Sequence, residues 1–123
     1  MKVLVVDEDQ AFRESVVNLL LICGVDKFEV AASTEEALEK ASDASFEISL
    51  VNLMPQMGGF QLAEELKQRM PQTKIILVIE DKQQSKLNDD EEIELKFPAI
   101  LKSFVSHTLP QLLLEESSLA RKL

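Results

Sequence analysis

The feature that most constrains the fold is a regular alternation of two kinds of segment along the chain. Short continuous runs of apolar residues alternate with segments whose apolar residues recur at helical spacing. A continuous apolar run predicts a strand that is buried on both faces, as the strands of parallel sheets are. Alternating strands and helices predict an α/β domain with one parallel sheet and right-handed crossovers. We expect its strands at residues 3–6, 28–31, 46–53, 74–79 and 99–102.

The first three helices have start or stop signals of their own. Apolar residues at helical spacing mark the first helix, which Gly24 ends. A capping box starts the second helix, because the Ser33 side chain can accept from the Glu36 amide while Glu36 reaches back. This helix should continue to about residue 41. The third helix is expected at residues 60–70, where Pro71 follows and stops it.

The last third of the chain has weaker signals. Residues 80–96 are rich in Gln, Asn, Asp and Glu, which predicts a short or irregular helix. Ser106 or Thr108 can cap a final helix through about Ser118, with Pro110 in its first turn.

Length and apolar content indicate one folded domain with a core of aliphatic residues. The chain has 123 residues, of which 46% are hydrophobic, enough to build a core without disulfides or metal. We place the domain at residues 1–116 and expect residues 117–123 to be a tail or the start of a linker to an effector domain.

The charge and cysteine content exclude several classes of partner. A net charge of −9 repels phosphate backbones and anionic membranes, so direct binding to nucleic acid or a membrane surface is not expected. No apolar stretch reaches the length of a membrane span. The single cysteine, Cys23, cannot form a disulfide within the chain, which is typical of cytoplasmic proteins, and its apolar neighbours predict a buried thiol.

Polar residues follow three of the predicted strands. Asp7, Glu8 and Asp9 come directly after the first strand, Asn52 lies near the end of the third, and Lys102 ends the fifth. The carboxyl ends of parallel strands lie at the same edge of a sheet, where α/β proteins place their binding sites. Carboxylate and amide oxygens at this edge could hold Mg²⁺.

Three motifs carry a resemblance to bacterial response-regulator receiver domains, extending over roughly residues 2–114. They are Val-Leu-Val-Val-Asp7-Glu8-Asp9 with Arg13, Met54-Pro55-Gln56-Met57-Gly58-Gly59, and Leu101-Lys102-Ser103-Phe104. The resemblance implies a flavodoxin-like, doubly wound, five-stranded parallel sheet of order 2-1-3-4-5 with helices on both faces. It also implies two-component signal transduction, in which an aspartate ending the third strand accepts a phosphoryl group from a histidine kinase.

The resemblance assigns roles to positions in the pocket. Asp7 and Glu8 match the acid pair that holds Mg²⁺ in the family, and Lys102 matches the lysine that contacts the phosphoryl group. The acceptor position falls on Asn52, or on Val51 if the alignment is run back from the Met-Pro motif without a gap. Neither residue is a carboxylate, and an amide nitrogen is not a nucleophile toward phosphorus.

Two switch positions also depart from the family. The Ser or Thr position ending the fourth strand is Ile79, which has no hydroxyl, and the aromatic position on the fifth strand is Ala99. Acceptor, hydroxyl and aromatic ring serve one mechanism, so their joint loss predicts a pseudo-receiver that is not an enzyme. Mg²⁺ binding is expected to be weak or absent, because one carboxylate ligand is replaced by an amide.

The expected partners are proteins, either a histidine kinase or an effector domain. A homodimer through the face formed by the last strand and its flanking helices is also compatible with the resemblance. Two alternatives remain open. One is a phospho-accepting receiver with an unrecognised acceptor; Ser49 and Ser103 are nearby hydroxyls, for which a surface or capping role is favoured. The other is a small-molecule-sensing flavodoxin-like domain, which the acidic residues after strand one disfavour, because they would repel a phosphate.

Overall fold

The computed structural model describes residues 1–53, 59–80 and 97–122. As far as the fourth strand, the strands and helices alternate as the sequence predicts, and a short 3₁₀ turn at Lys102–Phe104 joins the last strand to the last helix. The elements are β1 (Lys2–Val6), α1 (Gln10–Ile22), β2 (Lys27–Ala31), α2 (Thr34–Asp43), β3 (Ile48–Asn52), α3 (Gly59–Arg69), β4 (Lys74–Ile79), β5 (Ala99–Leu101) and α4 (Val105–Lys122).

The five strands form one parallel sheet in the order β2-β1-β3-β4-β5, which confirms the predicted topology. The register places Val6 of β1 beside Val51 of β3, and Asn52 beside Val78 of β4. The carboxyl ends of these three strands are therefore level with one another. Residues that follow them in the chain lie at one edge of the sheet.

The core has two layers, one on each face of the sheet. Along β1, Leu4 and Val6 pack with α2 and α3, while Val3 and Val5 pack with α1 and α4. Both faces of the central strands are covered, which explains why their sequences are continuous apolar runs. Full burial of an aliphatic side chain contributes about 1.5–3 kcal/mol, so these layers are the main source of stability. Among the described residues, no helix is both long and apolar enough to cross a membrane.

The helix caps follow the sequence signals closely. The Asp9 side chain caps α1 by accepting from the amides of the second and third residues that follow it. Ser33 caps α2 and accepts from the Glu36 amide at 3.2 Å, as predicted. The second hydrogen bond of the capping box differs from the prediction: Glu36 accepts from the backbone amide of Ala32 at 3.3 Å, and not from that of Ser33.

The last helix is longer at both ends than the sequence predicts. It begins at Val105, ahead of the expected caps, and continues to Lys122, beyond the expected end at Ser118. Pro110 therefore lies inside the helix, in its second turn, where it cannot donate to the carbonyl of Ser106. The predicted irregular helix at residues 80–96 and the Met-Pro motif at residues 54–59 fall outside the described residues except at Glu80 and Gly59.

Two predictions about side-chain burial are wrong. Cys23 is exposed, because α1 ends at Ile22 and Cys23 lies at the C-cap, beyond the last turn that faces the core. Ser49 is fully buried in the central strand β3, so it has no surface or capping role. Its hydroxyl forms a 2.9 Å hydrogen bond with the buried hydroxyl of Thr73, which satisfies both groups.

Candidate functional site

The centre of the candidate site is a buried contact between two neighbouring strand ends. Asp7 follows β1 and Asn52 is the last residue of β3; their side chains are 0% and 1% exposed. The Asn52 amide nitrogen donates to Asp7 Oδ2 at 2.5 Å. The structure therefore brings together two of the residues that the sequence singled out, as a donor and an acceptor.

Backbone and side-chain contacts hold Asp7 in place. Its Oδ1 atom accepts from the Asp9 amide at 2.9 Å, and its backbone amide donates to the Ala31 carbonyl of β2 at 3.0 Å. Arg13 of α1 donates from its guanidinium group to the Asp7 carbonyl at 2.6 Å. This last contact explains why an arginine one helical turn into α1 accompanies the acidic motif. The carboxylate has little freedom to move.

Lys102 brings a positive charge to the same pocket from the end of β5. Its ammonium nitrogen lies 3.4 Å from Asp7 Oδ2, 3.5 Å from Asp9 Oδ2 and 3.4 Å from Glu80 Oε1. It also lies 4.5 Å from the centre of the Phe12 ring, within the range of a cation–π interaction. Burial lowers the pKa of Lys102, but attraction and hydrogen bonding to Asp7 and Glu80 outweigh it, so the pKa is raised overall.

Sequence reasoning gave no role in the pocket to Phe12 and Glu80, which lie beside this lysine. It included Asp9 among the acidic residues at this edge, but the structure places Asp9 between the α1 amides and Lys102. The hydrogen bond from the Phe12 amide, with further help from Lys102, lowers the pKa of Asp9. Glu80 follows β4 directly, so the rule that strand ends share an edge could have found it.

The remaining predicted residues lie around this centre. Glu8 is exposed, in contrast to its neighbour Asp7. Ile79 is buried at the end of β4, one residue beyond the register partner of Asn52. Ala99 begins β5 and packs against the core layer formed with α2 and α3. Their assignment to the Mg²⁺ and switch positions remains a prediction from the resemblance.

The donor arrangement in the pocket does not fit Mg²⁺, which requires oxygen ligands in octahedral geometry. Asn52 presents its N–H to Asp7, and its own Oδ1 is buried without a hydrogen-bond partner among the described residues. Both carboxylate oxygens of Asp7 already accept hydrogen bonds, and Lys102 is close to three carboxylates. Within residues 1–53, 59–80 and 97–122, no three His, Cys, Asp or Glu side chains are grouped to hold a metal ion.

The matching family model and the similar solved structures agree on one family. Residues 3–111 match the response regulator receiver domain family. A CheY-like response regulator receiver domain protein from Methanospirillum hungatei is similar with 25% identity and a TM-score of 0.75, covering 98% of this chain and 96% of that one. The chemotaxis response regulator CheY4 of Vibrio cholerae is similar with 27% identity and a TM-score of 0.73, covering 93% of this chain and 96% of that one. No curated protein sequence matches the chain.

Proposed function

The chain belongs to the response regulator receiver domain family of two-component signal transduction, and on that premise we propose that it signals by binding other proteins without being phosphorylated. Receiver domains pass signals by contact with kinases and effector domains. The distinctive part of the proposal is that Asn52 stands at the acceptor position and cannot take a phosphoryl group. It follows that binding, and not covalent modification, conveys the signal.

The single observation that carries this proposal is the buried amide of Asn52. Acceptance of a phosphoryl group requires a nucleophile with an available lone pair, whereas the side chain of Asn52 is a neutral amide whose nitrogen lone pair is delocalised. Its N–H is also committed to Asp7 at 2.5 Å. Side-chain packing supports Asn52 over Val51 at this position, because Val51 packs in the core layer with α2 and α3 whereas Asn52 contacts Asp7.

The two proposed switch positions support the same conclusion. Ile79 has only carbon atoms in its buried side chain, so it cannot hydrogen-bond a phosphoryl oxygen. Ala99 has no ring that could turn between an exposed and a buried rotamer. A chain with these residues would gain no conformational response from a phosphoryl group, even if one were attached nearby.

Exposed apolar side chains support a role in protein binding. Phe104 and Leu114 are 54% and 71% exposed; Phe104 lies on the 3₁₀ turn that follows β5, and Leu114 lies on α4, where it lines a cleft with Met1 and Val25. We propose a histidine kinase, an effector domain or a second copy as the partner, in the cytoplasm, with a homodimer formed through the last strand and its flanking helices. A boundary near residue 116, with residues 117–123 as a tail or linker, stays part of the proposal; α4 continues as helix through Lys122.

The alternatives have less support from the site. Ser49, one of the nearby hydroxyls considered as a substitute acceptor, is buried and hydrogen-bonded to Thr73. A phosphate-containing small molecule would have to bind the first amides of α1, which already donate to the Asp9 carboxylate. We therefore retain protein binding as the proposed function.

The test is the intact mass of the protein after incubation with acetyl phosphate and Mg²⁺. We expect no phosphoryl gain on the natural chain, and the Asn52→Asp variant shows whether a carboxylate at this position restores one. Asn18→Asp, on the exposed surface of α1, controls for the extra carboxylate. A gain by Asn52→Asp alone supports Asn52 as the acceptor position on a working site. A phosphoryl gain on the natural chain would overturn the proposal.

A further inference from the structure

We propose that the ammonium group of Lys102 is the resident cation of the pocket around Asp7 and Asn52, and that a divalent cation binds there only by displacing it. The inference rests on the proposed function, because it assumes that an amide stands at the acceptor position. It goes beyond the loss of phosphorylation by stating what neutralises the pocket instead. The contacts in the pocket then hold the strand ends together without a metal ion.

The position of the ammonium group is the first support. Its nitrogen lies 3.4 to 3.5 Å from three carboxylates that come from the ends of β1 and β4 and from the cap of α1. A divalent ion bound to Asp7 would have to occupy nearly the same space. Two cations side by side at the buried Asp7 carboxylate would repel each other, so binding of one requires that the other withdraw.

The direction of the Asn52 amide is the second support. Its N–H donates to Asp7 Oδ2, the same oxygen that lies 3.4 Å from the Lys102 nitrogen. A carboxylate at position 52 would place a second negative charge at that short distance, so the pocket would need a further cation or a proton besides Lys102. The amide removes that need, because a neutral donor replaces the second negative charge.

The unpaired atom of Asn52 supports the same reading. Oδ1 is buried and lacks a hydrogen-bond partner among the described residues, while the N–H is satisfied. Rotation of the amide by half a turn would direct this oxygen at Asp7 and make two oxygens face each other. That arrangement is favourable only with a cation between them, whereas the N–H directed at Asp7 needs none there.

Aromatic contact holds the ammonium group in place. The Phe12 ring centre lies 4.5 Å from the Lys102 nitrogen, and the Lys102 side chain is only 20% exposed. The lysine is therefore ordered before any metal arrives, and a metal would have to break an ion-pair network and a cation–π contact together. Removal of this one charge should open the pocket to a divalent ion.

The test is thermal unfolding in EDTA and in excess Mg²⁺, without any phosphoryl donor. We expect the natural protein to unfold at the same temperature in both, while Lys102→Met gains a rise of roughly 5 °C at Mg²⁺ about tenfold above its Kd. Lys40→Met is the matched control, because Lys40 pairs with Glu29 and Glu36 at a similar exposure but lies outside the pocket. This variant should show no Mg²⁺ response.

A second measurement keeps the proposal testable even if Lys102→Met does not fold. Mn²⁺ added to the natural protein should broaden the NMR signals of the Asn52 side-chain amide no more than those of Glu35 and Glu39, which are exposed on α2. Selective broadening at Asn52 would overturn the inference, as would a Mg²⁺ response of the natural protein equal to that of Lys102→Met. So would a folded Lys102→Met variant with no response. Because no phosphoryl donor is present, these outcomes are independent of the mass measurement.

Discussion

The side-chain nitrogen of Asn52 lies 2.5 Å from Oδ2 of Asp7, and both side chains are shielded from solvent. One residue ends β3 and the other follows β1, so this contact joins two neighbouring strands at the edge where the family carries out its chemistry. The charge of the group at position 52 therefore determines what the pocket requires. An amide donates to Asp7, whereas a carboxylate would oppose it.

Asn52→Asp should destabilise the domain in the absence of divalent cations. The substitution removes the donor to Asp7 and puts two carboxylates at hydrogen-bond distance, at an expected cost of about 2–4 kcal/mol in the free energy of unfolding. Urea unfolding in EDTA measures the loss, and Mg²⁺ should restore part of it. Asn18→Asp on the exposed surface should change stability by no more than about 0.5 kcal/mol. Equal stability of Asn52→Asp and the natural chain in EDTA would contradict the assigned contact.

Ser49→Ala should lower the free energy of unfolding by more than a double substitution that removes both hydroxyls of the buried Ser49–Thr73 pair. Both residues are 0% exposed, so the single substitution leaves Thr73 without a partner for its hydroxyl, at about 1–3 kcal/mol. The double variant Ser49→Ala with Thr73→Val has no unpaired hydroxyl and should be closer to the natural stability. A double-mutant cycle measured by urea unfolding gives the coupling free energy between the two hydroxyls. Additive losses in the cycle would show that the two hydroxyls do not depend on each other.

Gly24→Ala should destabilise the end of α1 through backbone strain alone. Gly24 has a φ of 86°, and a Cβ added there would meet nothing within 4 Å. The left-handed conformation costs a residue with a side chain about 1 kcal/mol, although there is room for the methyl group. Gly24→Asn is the comparison. Asparagine tolerates this conformation better than alanine does, so this variant should lose less stability. Thermal unfolding distinguishes the two, and an equal loss would point to a cause other than the backbone angle.

Cys23 should react with Ellman's reagent in the folded protein. It is exposed at the C-cap of α1, and the chain has no other cysteine, so one thiol should be modified without denaturant. The absorbance change on mixing measures it, and Cys23→Ser should show none. Reaction only after urea is added would mean that the thiol is buried, as its apolar neighbours in the sequence suggested.

Much of the fold was predictable because the pattern of apolar residues along the chain agrees with which residues the fold buries. β4 occupies residues 74–79 as expected, since a run of β-branched and other apolar residues is stable only between two covered faces. The order of the strands came from the resemblance and is confirmed. Helix ends were less predictable: α4 begins at Val105 because a 3₁₀ turn, which has no clear signal in the sequence, precedes it.

The sequence by itself determined which chemical groups meet at the carboxyl edge: an acid after β1, an amide ending β3 and a lysine after β5. Parallel strands end at the same edge, so order along the chain is sufficient for that prediction. Only the tertiary structure decided how these groups pair. It turned the N–H of Asn52 toward Asp7 and placed Lys102 among three carboxylates and the Phe12 ring. Such pairings depend on differences of about an ångström between side chains far apart in sequence, which no local pattern records.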